Sequence, residues 1–145
     1  MPSIDYCRIH HENTNLLDRV AVDVFDEPIL PERLATYLEH PANLLIVAVT
    51  DGVVIGQVAA VLHHHPDKPI ELYVDDLGVT PQYQRQGVAT RLMEEMVTWG
   101  KTLGCEEVWL VTEIDNIAAR ALYVRFAAAQ EIVMYSWELE RKMTE

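Results

Sequence analysis

Residues 44–49 are an unbroken apolar run and residues 53–62 a second run rich in β-branched side chains, with only Thr50-Asp51-Gly52 between them. β-Branched residues favour a pleated backbone, and Asp-Gly accepts the positive φ angles of a tight connection, so the pair predicts an antiparallel hairpin. Gly56, inside the second run, marks a bulge or a close approach by another backbone. Around the hairpin, strand and helix patterns alternate without repeats or low-complexity segments. That alternation predicts an α+β fold, a mixed central β-sheet flanked by helices.

Upstream, residues 5–9 suit a short first strand, and residues 14–25 carry Leu16, Leu17, Val20 and Val24 at helical spacing. Pro28 and Pro31 then break the chain. Pro31 suits the first turn of a second short helix reaching His40, because its missing N–H would be unpaired there anyway, and Pro41 bounds it. Residues 63–69 form a polar, proline-bounded loop ahead of a strand at 70–79. From 86 to 103 the apolar positions Val88, Leu92, Met96, Trp99 and Leu103 form one helical stripe, which Gly104 stops. Residues 107–111 read as a buried strand, Asp115 or Asn116 can cap a helix over 117–126, and 131–139 read as a last strand.

The chain has 145 residues, half of them apolar, which is enough for one well-filled core, so 1–145 is expected to be a single domain. No stretch approaches about 18 consecutive apolar residues, and Met1-Pro2-Ser3-Ile4-Asp5 lacks the basic and apolar regions of a signal peptide. A soluble, cytoplasmic protein without a membrane partner is therefore expected. Cys7 and Cys105 lie far apart with no metal-type spacing, and read as buried, reduced thiols. Acidic side chains number 23 against 11 basic ones, a formal net charge of −12. Such a surface repels nucleic acid; it serves solubility, and it equally suits a cationic small molecule steered to an acidic cleft.

Gln84-Arg85-Gln86-Gly87-Val88-Ala89 lies between the 72–79 strand and the amphipathic helix. The first N–H groups of a helix have no intrahelical partner, so a strand–turn–helix junction can hold a phosphate where nothing bulky blocks the backbone. Gly87 and Ala89 give that clearance, and Arg85 or Arg91 can add charge.

Further motifs follow in order. Gln84-x-x-Gly87-x-Ala89 comes after Leu77-Gly78-Val79, and Asn116-x-x-Ala119-x-x-Leu122-Tyr123 comes downstream. In this the chain resembles the GCN5-related N-acetyltransferase superfamily. Asp76-Leu77-Gly78-Val79, Arg85 to Thr90 and Ile132-Val133-Met134-Tyr135 are similar, within it, to aminoglycoside 3-N-acetyltransferases. The specific likeness spans 71–139.

The resemblance implies acetyl-CoA as donor, bound where two neighbouring strands splay, and direct transfer to a primary amine with no metal. It places the pyrophosphate on the backbone of Gln84, Arg85, Gln86, Gly87, Val88, Ala89 and Thr90, with Leu77 and Val79 offering main-chain groups to the pantetheine arm and thioester, and Asn116 near the cofactor. It makes Tyr123 the general acid for the departing thiolate; Asn116, Ala119 or Arg120, and Tyr123 share a helix face. Asp75, Asp76, Glu71 and Glu113 are the carboxylates available to deprotonate the acceptor, directly or through water. Strand alternation sends Asp75 and Asp76 to opposite faces. Asp76 matches the aspartate of the aminoglycoside-type run, and Glu113 and Asp115 would form an acidic wall, Asp115 being a simple helix cap otherwise. Ala127-Ala128 stands where the superfamily often has Gly-Phe, implying differences in how the last strands meet.

The acceptor classes in keeping with this are an aminoglycoside, as in antibiotic resistance, a polyamine, or a protein amine. A homodimer also agrees with the resemblance. The alternative from another class is a non-catalytic CoA-binding or sensor module, which needs Gly87 and Ala89 but neither Tyr123 nor a base. His63-His64-His65 is expected to be solvent loop or substrate rim and not a metal site: neighbours in an extended segment face alternate sides, and no Asp-Glu-His ligand set at helical spacing accompanies them.

Overall fold

A computed structural model describes residues 3–140 of the chain. Two compact units divide it, Met1–Val111 and Thr112–Glu145.

The first unit is built on a five-stranded sheet in the order β1-β2-β3-β4-β5. Its strands are β1 (Asp5–Arg8), β2 (Asn43–Thr50), β3 (Val53–His63), β4 (Glu71–Val79) and β5 (Glu107–Trp109). Neighbours pair antiparallel except β4 and β5, which run parallel. The sheet is mixed and open, as the alternation of patterns predicts. Its helices are α1 (Pro31–Glu39) and α2 (Val88–Thr102), the second forming the crossover between the two parallel strands.

The β2–β3 hairpin forms as expected, and its turn shows why: Asp51 and Gly52 both have positive φ, 51° and 74°, the pairing that suits the twist of a two-residue connection. Both faces of β2 are covered, which is why its sequence is uniformly apolar. One face packs on a cluster including Ile9, Leu17 and Val24, with Leu34 and Leu38 of α1 against it. The other receives α2, which buries Val88, Leu92, Met93, Met96 and Gly100. The stripe therefore turns inward at Gly100, and Leu103 is exposed. A Cβ at Gly100 would lie 2.8 Å from Leu72 Cδ2, so any larger residue there would have to displace that buried side chain. Gly56 meets both expectations for it. The β2–β3 register shifts beside it, and its absent side chain makes room for Val88 and Leu92 of α2.

Four expected elements differ. Residues 14–25 form a single 3-10 turn, Thr14–Asp18, and then an irregular segment. Here β3 outcompetes the helix: Val54 N–H donates to Arg19 O, and Ala21 N–H donates to Val54 O, so the local backbone is spent on the sheet. Residues 107–111 are neither buried nor fully strand; β5 has three residues, and Val108 and Trp109 remain partly open on the sheet edge, with the Trp109 ring 4.4 Å from that of Tyr73.

In the second unit, α3 (Ile117–Tyr123) is shorter than expected and passes into turns through Phe126. Residues 131–139 are not a strand: they have no ladder partner among the described residues, and Val133, Tyr135 and Trp137 are exposed. Apolar content gives a segment the tendency to extend, but only a partner's hydrogen bonds make it a strand. No helix among the described residues is long and apolar enough to cross a membrane. Cys7 and Cys105 are free, half-buried thiols, and burial pushes both up from the usual thiol range.

Candidate functional site

The junction from β4 to α2 is built by local chemistry. Thr80 is buried and donates its N–H to Ile55 O at 2.9 Å, which anchors the end of β4 to β3. A one-turn 3-10 helix, Pro81–Tyr83, follows. Gln84 Nε2 then reaches back to Val79 O at 3.0 Å, and Gln86 Nε2 to Gln82 O at 3.0 Å. Arg85 and Gly87 both take positive φ, 62° and 83°, and Gly87 is the N-cap of α2.

The first intrahelical bond of α2 runs from Arg91 N–H to Gly87 O, so the N–H groups of Val88 and Ala89 have no acceptor within the helix. No side chain caps this end, and no acidic residue occupies the first turn. A Cβ placed on Gly87 would meet nothing within 4 Å, so the approach is open. Val88 is buried against Gly56, leaving only its backbone to face a ligand. Of the two arginines, Arg91 is committed to Glu95 at 2.8 Å and lies over the Tyr6 ring. Arg85 is exposed, with no ion-pair partner among the described residues.

β4 and β5 pair only from Glu71–Glu107 to Tyr73–Trp109, although β4 continues to Val79. The pairing thus ends before Leu77 and Val79. Two groups assigned to the donor are already engaged: Leu77 N–H donates to Asp76 Oδ1 at 3.1 Å, and Val79 O accepts from Gln84.

Beside that opening lies an acidic cluster. The β3–β4 register slips so that Ala59 faces Asp76 while Ala60 faces Val74, leaving Asp75 as the extra residue of a bulge. Strict alternation is lost there. Both Asp75 and Asp76 act on the Tyr37 phenol, which burial first, and then these two charges, push far above its usual value. Tyr37 donates its hydroxyl proton to Leu44 O at 3.1 Å.

Asp76 Oδ2 accepts from the fully buried Gln57 Nε2 at 2.8 Å, and the same amide nitrogen reaches Val24 O at 3.2 Å. Gln57 Oε1 is buried without a partner among the described residues. Burial raises the Asp76 carboxyl above the ordinary aspartate value, opposed by the Gln57 hydrogen bond, and Asp26 adds to the rise. Burial, then Asp76, raises Asp75 as well. Sequence reasoning missed Gln57, Tyr37 and Asp26. A glutamine inside the otherwise apolar 53–62 run was the available signal for the first.

Glu71 stands apart from this cluster, five strand residues from Asp76 or roughly 16 Å along β4. It accepts from His65 Nε2 at 2.9 Å instead. His63, His65 and Glu71 converge across the β3–β4 loop, a juxtaposition that helical spacing in the sequence does not reveal. A shallow groove of about 310 Å³ between the Thr14–Asp18 turn and α1, with Leu17, Ile29, Leu34 and Leu38 on its walls, includes none of the residues from 75 to 90.

In the second unit, Asn116 and not Asp115 caps α3: its Oδ1 accepts from Ala119 N–H at 3.1 Å. Arg120 Nη1 donates to Ile114 O at 2.9 Å, fixing the approach to the helix. Ala119, Leu122 and Tyr123 are the half-buried positions of α3, while Glu113 and Asp115 are exposed.

The sequence profile described as the acetyltransferase (GNAT) family matches residues 11–128. The chain is 32% identical over 100 residues to the N-alpha-acetyltransferase RimI of Mycobacterium tuberculosis, a match covering 69% of this chain and 61% of the relative. It is 25% identical over 103 residues to an aminoglycoside N(6')-acetyltransferase type 1 of Salmonella typhimurium, covering 67% and 70%. The chain spans about three fifths of the length of the N-alpha-acetyltransferases it matches. Among solved structures, AAC(6')-Iy in complex with the bisubstrate analogue CoA-S-monomethyl-acetylneamine superposes with a TM-score of 0.79 at 19% identity, over 94% of this chain and 99% of that one. These aminoglycoside enzymes are of the 6' type, where the motifs alone suggested the 3-N type.

Proposed function

Because the chain belongs to the acetyltransferase (GNAT) family, we propose that it moves an acetyl group directly from acetyl-CoA to a primary amine of a cationic small molecule, with an aminoglycoside as the first acceptor class. The observation that carries the donor half is the uncapped, acid-free and sterically open start of α2 at Gly87. The backbone of residues 84–90 would hold the pyrophosphate, with Arg85 as the nearby cation, because oriented N–H groups bind an anion even inside a field of net charge −12.

The acidic cluster carries the acceptor half. Asp75, Asp76 and Asp26 suit a molecule with several ammonium groups, one of which must lose a proton before its nitrogen can attack. Asp76 is the base in this reading: its raised carboxyl value makes it a better proton acceptor than an ordinary aspartate, and Gln57 keeps it oriented. Acetyl-CoA supplies an activated acyl carbon and a thiolate leaving group. Main-chain groups at Leu77 and Val79 would orient the thioester, the Leu77 N–H being released from Asp76 Oδ1 as that carboxylate takes its proton. Tyr123 would return a proton to the sulfur, with Asn116 holding the start of its helix and Glu113 lending negative charge to the acceptor side. The protein would work in the cytoplasm, where acetyl-CoA is available.

A second reading is favoured by the RimI likeness: the acceptor is the α-amine of a protein. Thiol release from acetyl-CoA, measured side by side with an aminoglycoside, a polyamine and an N-terminal peptide, distinguishes them. The proposal expects turnover with the aminoglycoside and a loss of kcat of at least tenfold in Tyr123→Phe. Coenzyme A binding with no turnover on any amine, and no effect of Tyr123→Phe, would leave only a binding or sensor module.

A further inference from the structure

The β3–β4 hairpin carries a cluster that acetyl transfer does not use. His63 is the last residue of β3 and pairs in register with Glu71, the first residue of β4. His65 lies two residues beyond His63, and a two-residue step returns a side chain to the same side of an extended segment. The two imidazole rings are accordingly 4.3 Å apart between centroids, and His65 Nε2 is 2.9 Å from Glu71 Oε1. One ligand atom from each of the three residues falls within 4.8 Å of the others.

We propose that His63, His65 and Glu71 form a binding site for a divalent transition metal, zinc(II) in the first instance, that clips the base of the β3–β4 loop. Two imidazoles and one carboxylate make a donor set suited to zinc, and three protein ligands leave a position for water. The cross-strand pairing supplies the preorganisation. His63 and Glu71 are held opposite each other by the ladder, and only His65 must turn its ring from Glu71 toward the ion. His65 and Glu71 have little exposed side-chain surface, 13% and 18%, whereas His63 is exposed, so an ion has both an anchored floor and an entry path. His64, between the two histidines, is exposed and outside the cluster, and takes no part. The site lies at the end of β4 remote from Leu77 and Val79, so it braces the sheet and is separate from the acetyl-transfer chemistry.

The test is zinc titration by calorimetry of chelator-stripped, untagged protein, with cobalt(II) absorption as a second readout of the coordination sphere. One zinc per chain is expected, with an affinity of 10 μM or tighter on the order set by three neutral-or-anionic ligands. The melting midpoint should rise by roughly 9 °C at a hundredfold excess of zinc over its dissociation constant. His63→Ala, His65→Ala and Glu71→Gln should each weaken binding at least about tenfold, while His64→Ala stays within about twofold. Circular dichroism of each metal-free variant confirms that it is folded. Binding weaker than about 100 μM in the parent chain, loss on His64→Ala equal to the others, or binding retained in the folded triple variant would each overturn the site.

Discussion

Asp75 and Asp76 show how much a single register slip decides. The bulge leaves Asp75 as the extra residue of β4 and sets Asp76 opposite Ala59, and the charges of both raise the Tyr37 phenol. Their raised carboxyl values carry a defined sign for stability. Each group binds its proton more tightly in the folded chain than in the unfolded one, so the fold gains from protonation. The penalty is absent below the unfolded aspartate value near 4, grows as pH rises through the folded value, and is complete above it. Asp75→Asn should therefore stabilise the protein at pH 7, by less than about 1 kcal/mol because the side chain is half in solvent, and that gain should disappear near pH 4 in denaturant melts. A gain that persists unchanged at pH 4 would show that charge is not its source. At this scale the aspartates were legible in the sequence, but their partners were not: Gln57 and Tyr37 reach them from β3 and α1, far away in the chain, and only the folded backbone makes them neighbours.

Elements with strong local chemistry were read correctly, and those dependent on a competing partner were not. The β2–β3 hairpin follows from Asp51-Gly52, and α2 from its stripe and its glycine start. The 14–25 pattern failed because Val54 takes the backbone of Arg19 and Ala21, a competition invisible to periodicity. Residues 131–139 failed for the converse reason, having extended character without a ladder. The start of α2 gives a direct test of the donor site. In Gly87→Glu the positive φ costs about 1 kcal/mol of stability, so the protein should still fold, while its carboxylate competes for the N–H groups and repels the anion. Acetyl-CoA affinity should fall about a hundredfold or more, about 2.7 kcal/mol, whereas Gly87→Ala pays the same strain and retains most binding. Equal affinity in Gly87→Glu and the parent chain would remove the pyrophosphate from this turn.

The whole molecule presents opposite faces of one electrostatic problem to its two proposed substrates. A net charge of −12 attracts a polycationic acceptor over a Debye length and repels the phosphates of acetyl-CoA. Raising salt from 50 to 300 mM should therefore raise KM for an aminoglycoside several-fold and leave KM for acetyl-CoA unchanged or lower. Parallel increases in both would mean that the global charge steers neither substrate. Charge was fully legible in composition; its division into an acid-free turn at Gly87 and an acidic cluster at Asp76 was not, because that division depends on where the sheet opens.

The contact between Gly78 and residue 24 bears on how such a protein can change over generations. A Cβ at Gly78 would collide with the Val24 carbonyl oxygen, so the irregular segment after Arg19 approaches β4 backbone to backbone there, and Gln57 Nε2 donates to the same oxygen. The Val24 side chain is buried in the core as well, so the segment is held at residue 24 by backbone and side chain together, and substitutions at its outward positions, such as the exposed Val22 and Glu27, touch neither hold. Mutational drift at those outward positions is thereby uncoupled from the scaffold, and the surface of the segment can vary while its course stays fixed.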